Sequence, residues 1–425
     1  MTQELIALTG PHDVGRITAE NGRLRFAYTD EWRERDDAFP LSLSMPLAAQ
    51  EHPHRVIEPF LWGLLPDNEA VLARWASQFH VSPRNPFALL SHVGEDCAGA
   101  VQFATPERRD AFLAGENGNT TWLGTVDIAE RLQQLRQDHT AWRTAQDTGQ
   151  FSLAGAQPKT ALIKTKRGWG IPSGRTPTTH ILKPPTGAFD GYAENEHFCL
   201  TLARALGLPA ARSEVTHFGD EIAIVIERFD RRQSSDGKIL RIHQEDMCQA
   251  LAISPLKKYE NEGGPGVAPI VELIRSHSIA RTEDVQTFLD AIALNWLIAG
   301  TDGHAKNYAL LIGAAGRARL APLYDVASAL PYERLEHQKL KLAMKIGRKY
   351  RIRDINGRSW RRLAETIGVD DDALIERLKE LASRIPDEAA SARSKLADQE
   401  LDHPVLTQLS EQIRIHAERC RRDLA

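Results

Sequence analysis

At 425 residues the chain exceeds one ordinary domain, and about two to three are expected. Its 42% hydrophobic content suffices for a sizeable core, and 53 Lys and Arg against 57 Asp and Glu, net −4, exclude a chain-wide nucleic-acid signature. Cys97, Cys199, Cys248 and Cys420 are far apart and form no C-x-x-C pair, which argues against a zinc site or disulfide framework and for a reducing cytosol.

The opening MTQELIALTG lacks a basic region followed by an apolar core, and no run of 18 apolar residues occurs, so the expectation is a soluble cytoplasmic protein without a membrane span. LIALTG, VGRITAE and GRLRFAYT, separated by Gly, Asn and Asp, predict short strands joined by hairpins. LSLSMPL, from Leu41, predicts a further strand. Pro66-Asp67-Asn68 then turns the chain into a helix with Val71, Leu72 and Trp75 on one face. The polar, turn-rich stretch 105–120 is a candidate boundary. Between 151 and 230 the pattern alternates: TALIKT and THILKP are strands, NEHFCLTLARALGLP is a helix ended by Gly207 and Pro209, and EIAIVIERF is a buried strand. Beyond 240 the expected elements are helical: QEDMCQALA, APIVELIRSHS and TEDVQTFLDAIALNWLIAG, the last N-capped by Thr282 and closed by Gly300. The division expected is 1–105, 106–240 and 241–425, with a β-rich first half, a helical second half and a small-molecule cleft between two lobes.

Chemistry concentrates in residues 301–325, TDGHAKNYALLIGAAGRARLAPLYD. Asp302 precedes Asn307 by five residues, and Asp325 follows an apolar run. This D-x-x-x-x-N spacing with a later Asp is a constellation used in phosphoryl transfer, where one carboxylate receives the hydroxyl proton and Asn and Asp oxygens hold Mg²⁺. Each residue also has a plainer reading: Asp302 as a turn residue, His304 as a loop-stabilising hydrogen bonder, Lys306 as a solvated lysine, Asp325 as the N-cap of a helix beginning at Val326.

Upstream, Lys183 ends the strand THILK and could meet phosphates if Glu194 or Glu196 anchored it, although those glutamates also suit a helix N-terminus. SLAGAQPKTALI, from Ser152, is a small-residue loop whose backbone N–H groups at Ala154, Gly155 and Ala156 could approach phosphates, with Lys159 adding charge. ERFDR, at 227–231, reads either as a hinge offering backbone groups to a purine or as an ion-paired strand end. Residues 331–362 hold 11 Lys or Arg against three acids, a solvated face or a phosphate-binding patch.

Taken together, LSLSMPL, FLWGLLPDN with Arg74, SLAGAQPKTAL, HILKPP, ENEHFCLTLARALGL, ERFDR, HQEDMCQALA, TDGHAKN and LAPLYDVASA resemble the HipA family of serine/threonine kinase toxins over nearly the whole chain. The resemblance implies an α+β, protein-kinase-like two-lobe fold with an α/β N-terminal part and an all-helical C-terminal part. It implies Asp302 as catalytic base and Asn307 and Asp325 as Mg²⁺ ligands. ATP contacts are implied at Ala154, Gly155, Ala156, Gln157, Lys159, Lys183, Glu227, Arg228, Phe229, His304, Lys306 and Tyr324, and autophosphorylation at Ser152. A phosphate there would repel ATP from the neighbouring loop. The partners implied are a helix-turn-helix antitoxin, operator DNA through that antitoxin, and an aminoacyl-tRNA synthetase substrate of the glutamyl type. TDGHAKN in place of H-R-D-x-x-x-x-N, and YDVAS in place of D-F-G, depart from ordinary protein kinases. A small-molecule kinase, or a non-catalytic operator-binding partner acting through residues 331–362, are the alternatives.

Overall fold

The computed structural model describes residues 3–114, 118–143, 151–187, 189–235 and 237–424, so 115–117 of the expected boundary stretch lie outside it. Internal contacts divide the chain into two units, each discontinuous in sequence: residues 1–186, 217–256 and 310–318, and residues 187–216, 257–309 and 319–425.

The first unit contains two sheets. One runs β4-β3-β2-β1-β5, built from β1 (Gln3–Thr9), β2 (His12–Glu20), β3 (Arg23–Tyr28), β4 (Glu51–Pro53) and β5 (Gln102–Ala104). Its hairpins are antiparallel, with Leu5 opposite Ile17 and Ile17 opposite Phe26, so one face presents the buried Leu5, Ala7, Ile17 and Phe26 to the core. The other comprises β6 (Thr120–Leu123), β7 (Thr160–Thr165), β8 (Gly168–Pro172), β9 (His180–Lys183), β10 (Ser213–Phe218, inside which the division between units falls) and β11 (Glu221–Glu227), ordered β10-β11-β9-β7-β8-β6. Leu162, Leu182, Ala223 and Val225 pack there against Ile128 and Leu132 of the helix Thr125–Gln137. The helix Glu69–Phe79 begins where Asn68 accepts hydrogen bonds from the N–H groups of Ala70 and Val71, and it buries Val71, Leu72 and Trp75 as the periodicity predicts.

LSLSMPL is not a strand. Its backbone groups go to side chains: Leu41 N–H donates to the Tyr28 hydroxyl (2.7 Å), Tyr28 donates to Met45 C=O, Leu43 N–H donates to Glu245, and the His243 ring meets Leu41 C=O. Such bonds compete with a ladder for the same groups. Likewise QEDMCQALA is divided: His243–Asp246 is a strand, and Asp246 with Gln249 forms a capping box opening the short helix Met247–Ala250. The 105–120 stretch contains a helix, Pro106–Leu113, with proline in its first turn.

Glu245 has a measurable consequence. Its Oε1 accepts from Leu43 N–H at 2.7 Å, while Oε2 has no hydrogen-bond partner among the described residues. Burial pushes its carboxyl up to about 8 from 4.5, against the Leu43 and Ser42 hydrogen bonds and with Asp246 adding repulsion. The folded chain therefore keeps a proton that the unfolded chain releases between those two values. This contribution to stability is full below 4.5 and is lost as pH rises towards 8, at about 1.4 kcal/mol per pH unit. Glu245→Gln should be more stable than the parent at pH 8 and gain little at pH 5, measured by urea denaturation; an equal effect at both pH values contradicts this.

The second unit is chiefly helical: Tyr192–Ala205, Val267–His277, Arg281–Leu297, Gly357–Ile367, Asp371–Asp398 and Pro404–Asp423. Phe198, Phe288, Leu378, Ile413, Trp296 and Trp360 are buried in it, the last two with rings 5.6 Å apart. The expectation of an all-helical 241–425 holds for its long elements only: that stretch also contains the strands His243–Asp246, Ala309–Ile312 and Ala318–Leu320 and a small antiparallel pair, Lys341–Ile346 and Lys349–Arg351. Thr282 is not the N-cap of its helix, which starts at Arg281 after Ala280. At the other end Gly300 N–H donates to Asn295 C=O (2.7 Å), closing the helix as expected.

Candidate functional site

In the second unit, residues 300–307 form a tight loop after the buried helix Arg281–Leu297. Asp302 anchors it through its backbone: its C=O accepts from His304 N–H (2.7 Å) and from Asn307 Nδ2 (2.8 Å). Its carboxylate stays exposed, at 65%, and receives the Tyr259 hydroxyl at 2.6 Å. His304 is buried, its Nε2 4.0 Å from Asp302 Oδ1 and its ring edge-on to Tyr259. Lys306 is buried rather than solvated, and its C=O accepts from the Tyr324 hydroxyl (2.7 Å), linking the loop to the segment before Asp325.

Asn307, Tyr324 and Asp325 line one small cleft together with Asn295 and Gly303. No helix begins at Val326, so Asp325 is not an N-cap. It has φ 53°, a left-handed conformation uncommon outside glycine and most tolerable for Asp and Asn. Such strain persists only where surrounding structure enforces it, and here the following residues are pinned. Ser328 N–H donates to Asn195 Oδ1 (3.0 Å), Asn195 Nδ2 donates to Ser328 C=O (2.8 Å), and Ser328 Oγ donates to Ile298 C=O (2.6 Å). Tyr192, on the helix carrying Asn195, has its hydroxyl pKa pushed far up by burial and by Glu196, Asp325 and Asp302. Both candidate carboxylates are thus within electrostatic reach of one phenol.

The donor set suits Mg²⁺. The Asn307 amide, oriented by Nδ2 donating to Asp302 C=O, carries a neutral oxygen, and Asp325 carries an anionic one. Mg²⁺ commonly uses one or two carboxylates and takes its other ligands from water and phosphates. Among the described residues no group of three His, Cys, Asp or Glu forms an all-protein metal cage.

Sequence reasoning missed two residues here. Asn295 donates to the Tyr308 hydroxyl (2.9 Å) and lies so close to the loop that a Cβ on Gly300 or Gly303 would fall 2.2 or 2.7 Å from its amide. The only signal was a polar residue on an otherwise buried helix face. Tyr259 left no signal, because its partner is 43 residues away.

In the first unit, the residue 152–159 loop closes on its own lysine. Lys159 Nζ donates to Ala154 C=O (2.8 Å) and stands over the Trp142 ring. Gly155 has φ 99°, and its C=O accepts from Asp67 N–H (2.9 Å). Ala156 C=O faces Asn68 Nδ2 at 3.5 Å, and Gln157 beside it is half-buried. Ser152 is fully buried, its hydroxyl donating to Leu64 C=O at 2.7 Å. Lys183 is buried at the end of β9, opposite Ile224. Glu227 is exposed opposite His180, and Phe229 is half-buried.

Arg228 departs from the hinge reading. Its guanidinium is buried and grips Asp230 with two bonds (3.0 and 2.8 Å), the Thr178 hydroxyl and Cys97 C=O. Its N–H donates to Thr179 C=O and is not spare for a purine, while its C=O already accepts from Arg231 N–H. Burial alone would raise the Asp96 carboxyl in this cluster; Arg241, Arg231 and Arg228 override that and hold it well below the usual range. The ion-paired strand end is the arrangement found.

No helix among the described residues is long and apolar enough to cross a membrane. The mixed α+β architecture is that of a kinase-like fold, and comparison with known proteins names the family. Residues 5–104 match the HipA N-terminal domain and residues 151–389 the HipA-like C-terminal domain. The chain belongs to the HipA family of kinases. It is 36% identical over 392 residues to the putative kinase Y4mE of Sinorhizobium fredii, covering 92% of this chain and 91% of that protein. It is 32% identical over 375 residues to the serine/threonine-protein kinase toxin HipA of Shewanella oneidensis, covering 84% and 82%. Among solved structures, HipA in the Shewanella oneidensis complex of HipA, HipB and operator DNA superposes with a TM-score of 0.83 at 27% identity, covering 98% of this chain and 97% of that one.

Proposed function

We propose that this kinase is an ATP- and Mg²⁺-dependent serine/threonine protein kinase, the toxin of a toxin–antitoxin pair. The carrying observation is that Asn307 and Asp325 line one cleft while Asp302 holds the Asn307 amide and keeps its own carboxylate exposed. Asp302 receives the proton of the acceptor hydroxyl; Asn307 and Asp325 hold Mg²⁺, which when bound neutralises phosphate charge. In the first unit Lys159, Lys183 and the backbone of residues 154–157 are the proposed phosphate contacts, and the backbone at Glu227 and Phe229 the purine contact.

Ser152 is the proposed autophosphorylation site. Its hydroxyl is fully buried, so phosphorylation requires the loop to leave its place, and a dianion cannot return to a position whose neighbour is a carbonyl oxygen. The reading extends to a helix-turn-helix antitoxin and, through it, operator DNA, by analogy with the Shewanella complex. It places the kinase in the cytoplasm, acting on an aminoacyl-tRNA synthetase of the glutamyl type. Incubating purified chain, Mg·ATP labelled on the γ-phosphate and a panel of purified synthetases tests this: label on a synthetase serine or threonine is expected, and label on small molecules alone rejects it.

Tyr259 is a positioning residue in this scheme. Tyr259→Phe removes the 2.6 Å bond to Asp302 and should lower kcat about tenfold, matching the ~1.5 kcal/mol of a strong hydrogen bond, with KM for ATP unchanged. An unchanged kcat contradicts the role.

A further inference from the structure

We infer that the basic face of the 341–351 hairpin docks an acidic peptide segment flanking the phosphoacceptor, an inference resting on the reading of Asp302 as the base. Residues 339–353 contain seven Lys or Arg and no Asp or Glu. In Lys341–Ile346, Leu342, Met344 and Ile346 are buried on one face, while on the other Lys341 and Lys345 are exposed on either side of the buried Ala343. The register sets Lys341 directly opposite Arg351. Like charges in that relation repel, and an anion bound between them would relieve the repulsion. Lys345 already has one, Glu260, at 3.0 Å. Lys341, Arg348, Lys349 and Arg351 are exposed and form no ion pair among the described residues.

Two further contacts give this charge a direction. The turn is held firmly, since Gly347 has φ 61° and a Cβ there would lie 2.6 Å from Ser359 C=O, at the start of the helix Gly357–Ile367. One short loop also joins the hairpin to Asp302. Glu260 accepts from Lys345 N–H (2.7 Å) as well as from its ammonium, and the adjacent Tyr259 donates to Asp302. The hairpin is therefore tied, through residues 259 and 260, to the loop that carries the proposed base.

The form of the patch favours a peptide over a nucleic acid. A six-residue strand spans about 20 Å, the reach of a short extended peptide. Within 339–353 the only aromatic residue is Tyr350, too few for a base-stacking platform. Carboxylates on either side of a serine or threonine would be matched by Lys341, Lys349 and Arg351.

The test uses the full chain with Mg·ATP and serine peptides carrying either glutamate or glutamine flanks. Wild type should prefer the glutamate peptide. Lys341→Ala, Lys349→Ala and Arg351→Ala combined should raise its KM about tenfold, with kcat and Mg·ATP affinity unchanged. Lys341→Glu with Lys349→Glu should transfer the preference to lysine-flanked peptides, a gain that misfolding cannot produce. Phosphorylation indifferent to flanking charge overturns the docking inference and leaves the kinase reading standing. Absence of any protein or peptide phosphorylation, with Mg·ATP bound, overturns both. RNA bound through these residues while the glutamate peptide is not, read by fluorescence anisotropy, overturns the inference in favour of a polynucleotide.

Discussion

Asp302→Asn should reduce phosphate transfer by about a thousandfold while leaving the fold and Mg·ATP binding intact, as expected when a positioned general base is removed. Two details make this variant clean. The backbone C=O that orients Asn307 is unchanged by the substitution, and an asparagine oxygen can still accept the Tyr259 hydroxyl. The side chain is mostly exposed, so stability should stay within about 0.5 kcal/mol of the parent. Transfer from labelled ATP measures the first effect and urea denaturation the second. Undiminished transfer removes Asp302 from the chemistry.

Replacing Asp325 should act at an earlier step. Asp325→Ala is expected to weaken Mg·ATP binding by at least about a hundredfold, because a neutral methyl group offers no oxygen to the cation that Asp325 would hold. Alanine also fits poorly at φ 53°, costing about 1 kcal/mol of stability. Asp325→Asn separates the two effects: asparagine tolerates the left-handed backbone, so stability should be retained while the anionic ligand is lost. Calorimetric titration with Mg·ATP distinguishes the outcomes. Unchanged affinity in the asparagine variant rejects metal ligation by Asp325.

These residues were legible because their signal is local. The spacing of Asp302 and Asn307, and the apolar run before Asp325, lie within 25 residues, and the helix before them announces itself through Phe288, Leu289, Ile292 and Trp296. The same holds for β7, β9 and β11 and for the helix after Asn68, whose apolar periodicities match their burial. Arg228 was harder to place. ERFDR fits both a hinge and an ion-paired strand end, and the choice depends on Asp96 and Thr178, which no window around residue 228 contains.

Neighbouring residues alone thus carried the long helices, the strands β7, β9 and β11, the family resemblance and the candidates Asp302, Asn307 and Asp325, since periodicity and close spacing are local properties. Which polar groups meet depends on the folded arrangement. Leu43 turns out of a strand because Glu245, 202 residues away, takes its N–H. Tyr259 reaches Asp302, Asn295 sits under its loop, and Glu260 ties the basic hairpin to the same place. Such bonds join residues distant along the chain, and their partners are chosen by packing that no local pattern records.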